Sequence, residues 1–199
     1  MKKTLAVGVA GSALIWLWFN PLPAGANTFK TTLNKAGAIS RTAPFQAFGN
    51  FTVGDCQYET AANLILAYWP KSQITTAEVE SAYNTYGIGW DPDGLEAGQD
   101  FLISTGFAGH HASSITEITQ AQAVTAANNG GVEVTVLGPT MAHIFAIVQA
   151  NAEGLTEVDD GFVYHYTWSQ LNAAYTIGIT NGELTPNGNV LTFYAVTWN

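Results

Sequence analysis

Chemistry in this chain begins with its single cysteine. Cys56 follows Gly49-Asn50-Phe51-Thr52-Val53-Gly54-Asp55 and opens an apolar run from Gln57 to Trp69. A thiol placed after a Gly-Asp turn, at the first position of a helix, faces open backbone N–H groups and the positive end of the helix dipole. Both favour thiolate over thiol. That is a nucleophile's position; the alternative for a lone cysteine is an inert buried thiol. A thiolate that attacks a carbonyl also needs a base within hydrogen-bond reach, a group that orients the base, and donors for the oxyanion.

Four histidines compete for the role of base. His110 and His111 follow Gly109 in a loop; a metal pair is conceivable there, but no cysteine or third histidine lies near in sequence. His165, between Tyr164 and Tyr166 on a short strand, reads as structural. His143 opens the strand His143-Ile144-Phe145-Ala146-Ile147-Val148 just after the turn Gly138-Pro139-Thr140. A rigid element therefore carries it at an exposed end, with a satisfied core histidine as the alternative. The orienting acid is expected from the next strand. Asp159, after the turn Asn151-Ala152-Glu153-Gly154, would return to the strand end that carries His143. Asp160 would point to the other face, so one of the two serves, and a bulge would change which. A solvated acidic turn is the competing reading of this pair.

These residues need elements to hold them. The spacing predicts a helix from Cys56 to Trp69, stopped by Pro70. A second helix starts at the capping-box spacing Thr75-Thr76-Ala77-Glu78 and ends at Gly87. Gly89-Trp90-Asp91-Pro92-Asp93-Gly94 is turn chemistry that lacks the further ligands of a calcium loop. Helices over Leu95 to Ser104 and Gln120 to Asn128 follow. The period then changes, giving strands over 132–137, 143–150, 155–158 and 162–166. A short helix is capped by Thr167, hairpin signals stand at Asn181-Gly182 and Pro186-Asn187-Gly188-Asn189, and a last strand covers 190–197. Helices first and an antiparallel sheet afterwards give an α+β class, with the Cys56 helix packed on the sheet.

The 199 residues are 47% hydrophobic, enough for one domain with a full core. Residues 1–26 differ from the rest: Lys2 and Lys3, an uncharged run from Thr4 to Phe19, Pro21, Pro23, then Ala24-Gly25-Ala26. This pattern reads as a secretory signal cleaved near Ala26, with an uncleaved outward-facing membrane anchor as the alternative. Residues 27–42 form a linker or arm, and 43–199 the domain. The formal charge is −9, and loss of Lys2 and Lys3 makes it more negative, which argues against nucleic acid and anionic lipid as partners. No cofactor or metal is called for, and the sequence leaves oligomeric state open. A secreted protein acting on a peptide or amide, extracellular or of the cell wall, is the expectation.

Helical cysteine first, strand-borne histidine second and a carboxylate third is the order of the papain-like cysteine peptidase superfamily, which this sequence resembles. The resemblance implies that Asn50, six residues before Cys56, stands where these enzymes carry an oxyanion-hole glutamine, and that Asp159 stands where they carry the Asn or Asp that orients the histidine. The chain is also similar to bacterial and phage proteins of this fold that carry a Gly-Asn…Gly-Asp-Cys turn, a Gly-His-Ala-Val-like strand and a Thr-Trp helix, here Thr167-Trp168-Ser169. The similarity covers about Gly49 to Tyr175. Asn50 is one methylene shorter than glutamine, His143 follows Met141-Ala142 where Gly is common, and Asp159-Asp160-Gly161 replaces a different residue before Trp-Gly. The resemblance implies a hydrolase with a Cys56–His143–Asp159 triad. Two other readings stand beside it: a papain-like domain that binds without cleaving, and an acyl transferase using the same triad.

Overall fold

The structure is a computed structural model that describes residues 48, 55–87, 96–139, 142–159, 161–180 and 183–199. The expected leader (1–26) and arm (27–42), Asn50, Asp160 and the expected turn at 89–94 lie outside the described residues. Five helices are described: α1 (Cys56–Tyr68), α2 (Thr76–Tyr86), α3 (Glu96–Ser104), α4 (Gln120–Asn129) and α5 (Trp168–Thr176). The strands are β1 (Ala112–Ile118), β2 (Val132–Leu137), β3 (Ala142–Ala150), β4 (Gly154–Asp159), β5 (Phe162–Thr167), β6 (Ile177–Thr180), β7 (Glu183–Pro186) and β8 (Val190–Trp198). The class is α+β. Six strands form one antiparallel sheet in the order β1-β8-β2-β3-β4-β5, and β6 and β7 pair separately.

α1 is apolar almost all round, and eleven of its thirteen residues are buried, as expected of a helix that sits inside a domain rather than on it. It packs along β3, where Thr60 donates its hydroxyl to the Ile144 carbonyl at 3.1 Å. Leu64 and Ile65 are fully buried; each is worth roughly 1.5–3 kcal/mol of transfer free energy. Pro70 cannot donate to the helix ladder, so α1 ends at Tyr68 with Trp69 as its cap. α2 and α3 complete this layer, and Tyr58, Val79, Phe101 and Leu102 share one core with Ala146, Val148 and Val158 of the sheet.

The opposite face of the sheet carries a second core. There Ala123 and Ala127 of α4 and Leu171, Ala174 and Tyr175 of α5 meet Val132, Val134, Val136, Phe145, Ile147 and Leu155. The alternation of β3 therefore runs between two buried cores rather than between core and solvent, and every residue of β3 after Ala142 is buried. Helices thus cover both faces, where the sequence suggested a helical half packed on a later sheet. β1 also breaks that order: Ala112-Ser113-Ser114-Ile115-Thr116-Glu117-Ile118 is too polar to read as a strand. Its place at the sheet edge, paired with β8 alone, explains that composition.

Turn chemistry differs at the C-terminal end. Thr180 pairs with Glu183 around Asn181-Gly182, as a two-residue hairpin requires. The second signal, Pro186 to Asn189, joins strands of different sheets instead, and its asparagines close the end of α5. Asn187 and Asn189 each donate a side-chain N–H to the Tyr175 carbonyl, at 2.9 and 3.0 Å. No helix among the described residues is long and apolar enough to cross a membrane.

Candidate active site

Cys56 occupies the first position of α1, half-buried. Asp55, at the cap position, keeps helical backbone angles and makes no side-chain cap. Its carbonyl accepts from the N–H groups of Tyr58 and Glu59. A helix supplies no internal partner for its first N–H groups, so the N–H of Cys56 stands at the same end as its thiol.

His143 is the second residue of β3. Its Nε2 lies 2.8 Å from Oδ1 of Asp159, the last residue of β4, and both side chains are buried. The carboxylate accepts, so Nε2 carries the hydrogen and Nδ1 is the ring nitrogen left for the thiol. The Cys56 side chain lies near enough to the His143 ring to raise its affinity for a proton. Burial alone would lower the affinity of the imidazole for its proton. The charge and hydrogen bond of Asp159, with a smaller contribution from Cys56, outweigh it and hold His143 well above the ordinary value of 6.5.

A β-bulge decides which aspartate reaches the ring. Near the turn, Ala150 pairs with Leu155 and Gln149 with Thr156; beyond it, Ile147 pairs with Glu157 and Ala146 with Val158. Val148 is the extra residue. An unbroken register from the turn would set Asp160 on the face of His143, because strand parity is conserved along a regular ladder. The bulge shifts the pairing by one and brings Asp159 there. The turn is itself fixed by Asn151, whose Oδ1 accepts from the N–H groups of Glu153 and Gly154 at 2.8 and 2.9 Å. Its carbonyl accepts the indole N–H of Trp168 at 2.9 Å.

Three contributors were not singled out from the sequence. Glu157, two residues before Asp159 on the same strand face, is buried. Tyr175 of α5 donates its hydroxyl to Glu157 Oε1 at 3.1 Å and to Asp159 Oδ2 at 3.4 Å. The i, i+2 spacing of the two acids in a strand was the available signal. Asn63 grips the backbone of Phe48 from α1: Phe48 N–H donates to its Oδ1 at 2.9 Å, and its Nδ2 donates to the Phe48 carbonyl at 3.3 Å. The same carbonyl accepts the Gly161 N–H at 2.8 Å.

The other histidines stand apart from the dyad. His110 stacks on Trp69 with centroids 4.1 Å apart, His111 Nε2 lies 2.7 Å from Asn199 Nδ2, and His165 Nδ1 lies 3.2 Å from the Thr156 hydroxyl. Among the described residues no three His, Cys, Asp or Glu side chains gather so as to hold a metal ion. Comparison of the chain with protein-family models and with curated proteins found no match.

Proposed function

We propose that the chain is a papain-like cysteine hydrolase that cleaves an amide or ester through a thioester on Cys56. The observation that carries the reading is the line Cys56, His143, Asp159: a thiol at a helix N-terminus, beside an imidazole whose Nε2 is held by a buried carboxylate at 2.8 Å.

In this reading His143 takes the Cys56 proton and Asp159 stabilises the resulting imidazolium. The thiolate adds to the carbonyl carbon, and the negative charge moves to the carbonyl oxygen. The Cys56 backbone N–H and the Asn50 side chain are the assigned donors to that oxyanion. Collapse of the tetrahedral species breaks the carbonyl–nitrogen bond, and the imidazolium gives its proton to the leaving amine. A water then adds to the thioester with His143 as base, releasing the acid and restoring the thiol. A peptide outside the cell or in the cell wall is the proposed substrate class.

The experiment is alkylation of Cys56 with iodoacetamide across pH, followed by a peptide-library cleavage screen. An ion-paired thiol alkylates well below the free value of about 8.5. Cys56→Ala and His143→Ala are expected to abolish any cleavage found. Asn50→Ala is expected to lower turnover by about 10²–10³ while leaving alkylation intact, because alkylation forms no oxyanion. Full hydrolytic activity in Cys56→Ala would refute the reading, and an alkylation midpoint at the free-thiol value would favour the domain that binds without cleaving.

A further inference from the structure

Glu157 and Asp159 are alternate residues of β4, both buried and on one face of the sheet. The hydroxyl of Tyr175 reaches between them. Tyr175 is anchored at both ends: its ring stacks on Phe145, with centroids 4.8 Å apart and planes 15° from parallel, and its carbonyl accepts from Asn187 and Asn189. Phe145 in turn is the next residue on that face of β3 after His143. One rigid helix thus delivers a single O–H proton to two carboxylates.

We propose that Tyr175 is a positioning residue for Asp159: its hydroxyl, set between the two carboxylates, keeps both in place and holds Asp159 with Oδ1 on His143. The functional meaning rests on the acyl-transfer reading, whereas the coupling itself is measurable without a substrate. Two carboxylates sharing a buried site resist ionising together. A donor between them offsets that repulsion and keeps Oδ1 of Asp159 turned to His143; without it the two carboxylates draw apart and Asp159 no longer holds the ring. Tyr175 remains a donor throughout, since burial and then the charges of Glu157 and Asp159 push its phenol well above the usual 10. Tyr166, and through it Tyr164, adjoin the same carboxylates from β5, and Cys56 from α1 is the remaining group on His143.

The test is the titration of the His143 ring by NMR in the full-length protein. Tyr175→Phe keeps the ring and its stack, and is expected to lower the His143 midpoint by at least about half a unit, roughly threefold in proton affinity. In an Asp159→Ala background the same change should add nothing, since the two act through one contact. Glu157→Gln leaves the hydroxyl in place and removes the rival charge, so the midpoint should stay well above the ordinary histidine value; this arm decides alone if Tyr175→Phe does not fold. An unchanged or raised midpoint in Tyr175→Phe overturns the proposal, as does an equal shift without Asp159. So does a fall to the ordinary value in Glu157→Gln, which would make Glu157 the principal partner. A free-thiol alkylation profile for Cys56 in the parent would sink the hydrolase reading and leave this test intact.

Discussion

At the scale of single residues, the pair His143–Asp159 separates two functions that one side chain performs. Asp159 orients the ring through its oxygen and raises its proton affinity through its charge. Asp159→Asn keeps an oxygen for Nε2–H and loses the charge, so orientation survives. His143 then gives up its proton at lower pH. Because an acyl transfer of this kind needs the imidazolium, the alkaline limb of the activity profile is expected to move to lower pH. Asp159→Ala removes both functions, and kcat is expected to fall by about 10² or more. Steady-state kinetics of the two variants across pH separate these contributions; a profile in Asp159→Asn that keeps the parent's alkaline limb would mean that the charge does not reach the ring.

Secondary-structure elements set which residues can meet, and here one extra residue in β3 does it. Deleting Val148 would remove the residue that the bulge absorbs and leave Ile147 opposite Glu157 and Gln149 opposite Thr156. Asp159 then stays on the face of His143, and turnover is expected to survive; a loss as deep as in Asp159→Ala, read by steady-state kinetics, would mean that the bulge itself shapes the site. The same bulge marks where sequence stops being informative. The helix stop at Pro70, the box at Thr75 and Glu78, the cap at Thr167 and the strand bounds 132–137 follow from local chemistry and were legible. Cys56, His143 and Asp159 were legible as types in order. The bulge was not, since nothing in Ile147-Val148-Gln149 prescribes it, and Asp159 was chosen over Asp160 by a count that a regular ladder would have reversed. Tyr175 was hidden for a related reason. Its role arises from packing of α5 on β3 and β4, a contact between segments that no local pattern encodes.

Over the whole molecule, acids are buried while basic groups are few: Lys71 is the only lysine or arginine among the described residues. Glu133, buried on β2 with a long 3.4 Å hydrogen bond from Gln99, has its carboxyl pushed up from 4.5 to about 7 by burial. Between those values the unfolded chain releases this proton while the folded chain keeps it. Folding stability from this group is therefore highest below about pH 4.5 and declines as pH rises towards 7, by on the order of 3 kcal/mol. Glu133→Gln should flatten that slope and leave the protein more stable at pH 8, as denaturant unfolding at pH 5 and pH 8 would show; an equal slope in both proteins would assign it elsewhere. Lys71 itself has a separate consequence. It lies on the exposed turn after α1, and Arg41 is the preceding basic residue. Trypsin therefore has one site between Thr42 and the C-terminus, and cutting there places Cys56 on one fragment and His143 with Asp159 on the other. Because α1 is buried along nearly its whole length, the fragments should elute together in native buffer, alkylate like the uncut chain, and part only in denaturant. The molecule is in this sense already divisible, with Cys56 and His143 on separable pieces joined by packing and a few hydrogen bonds.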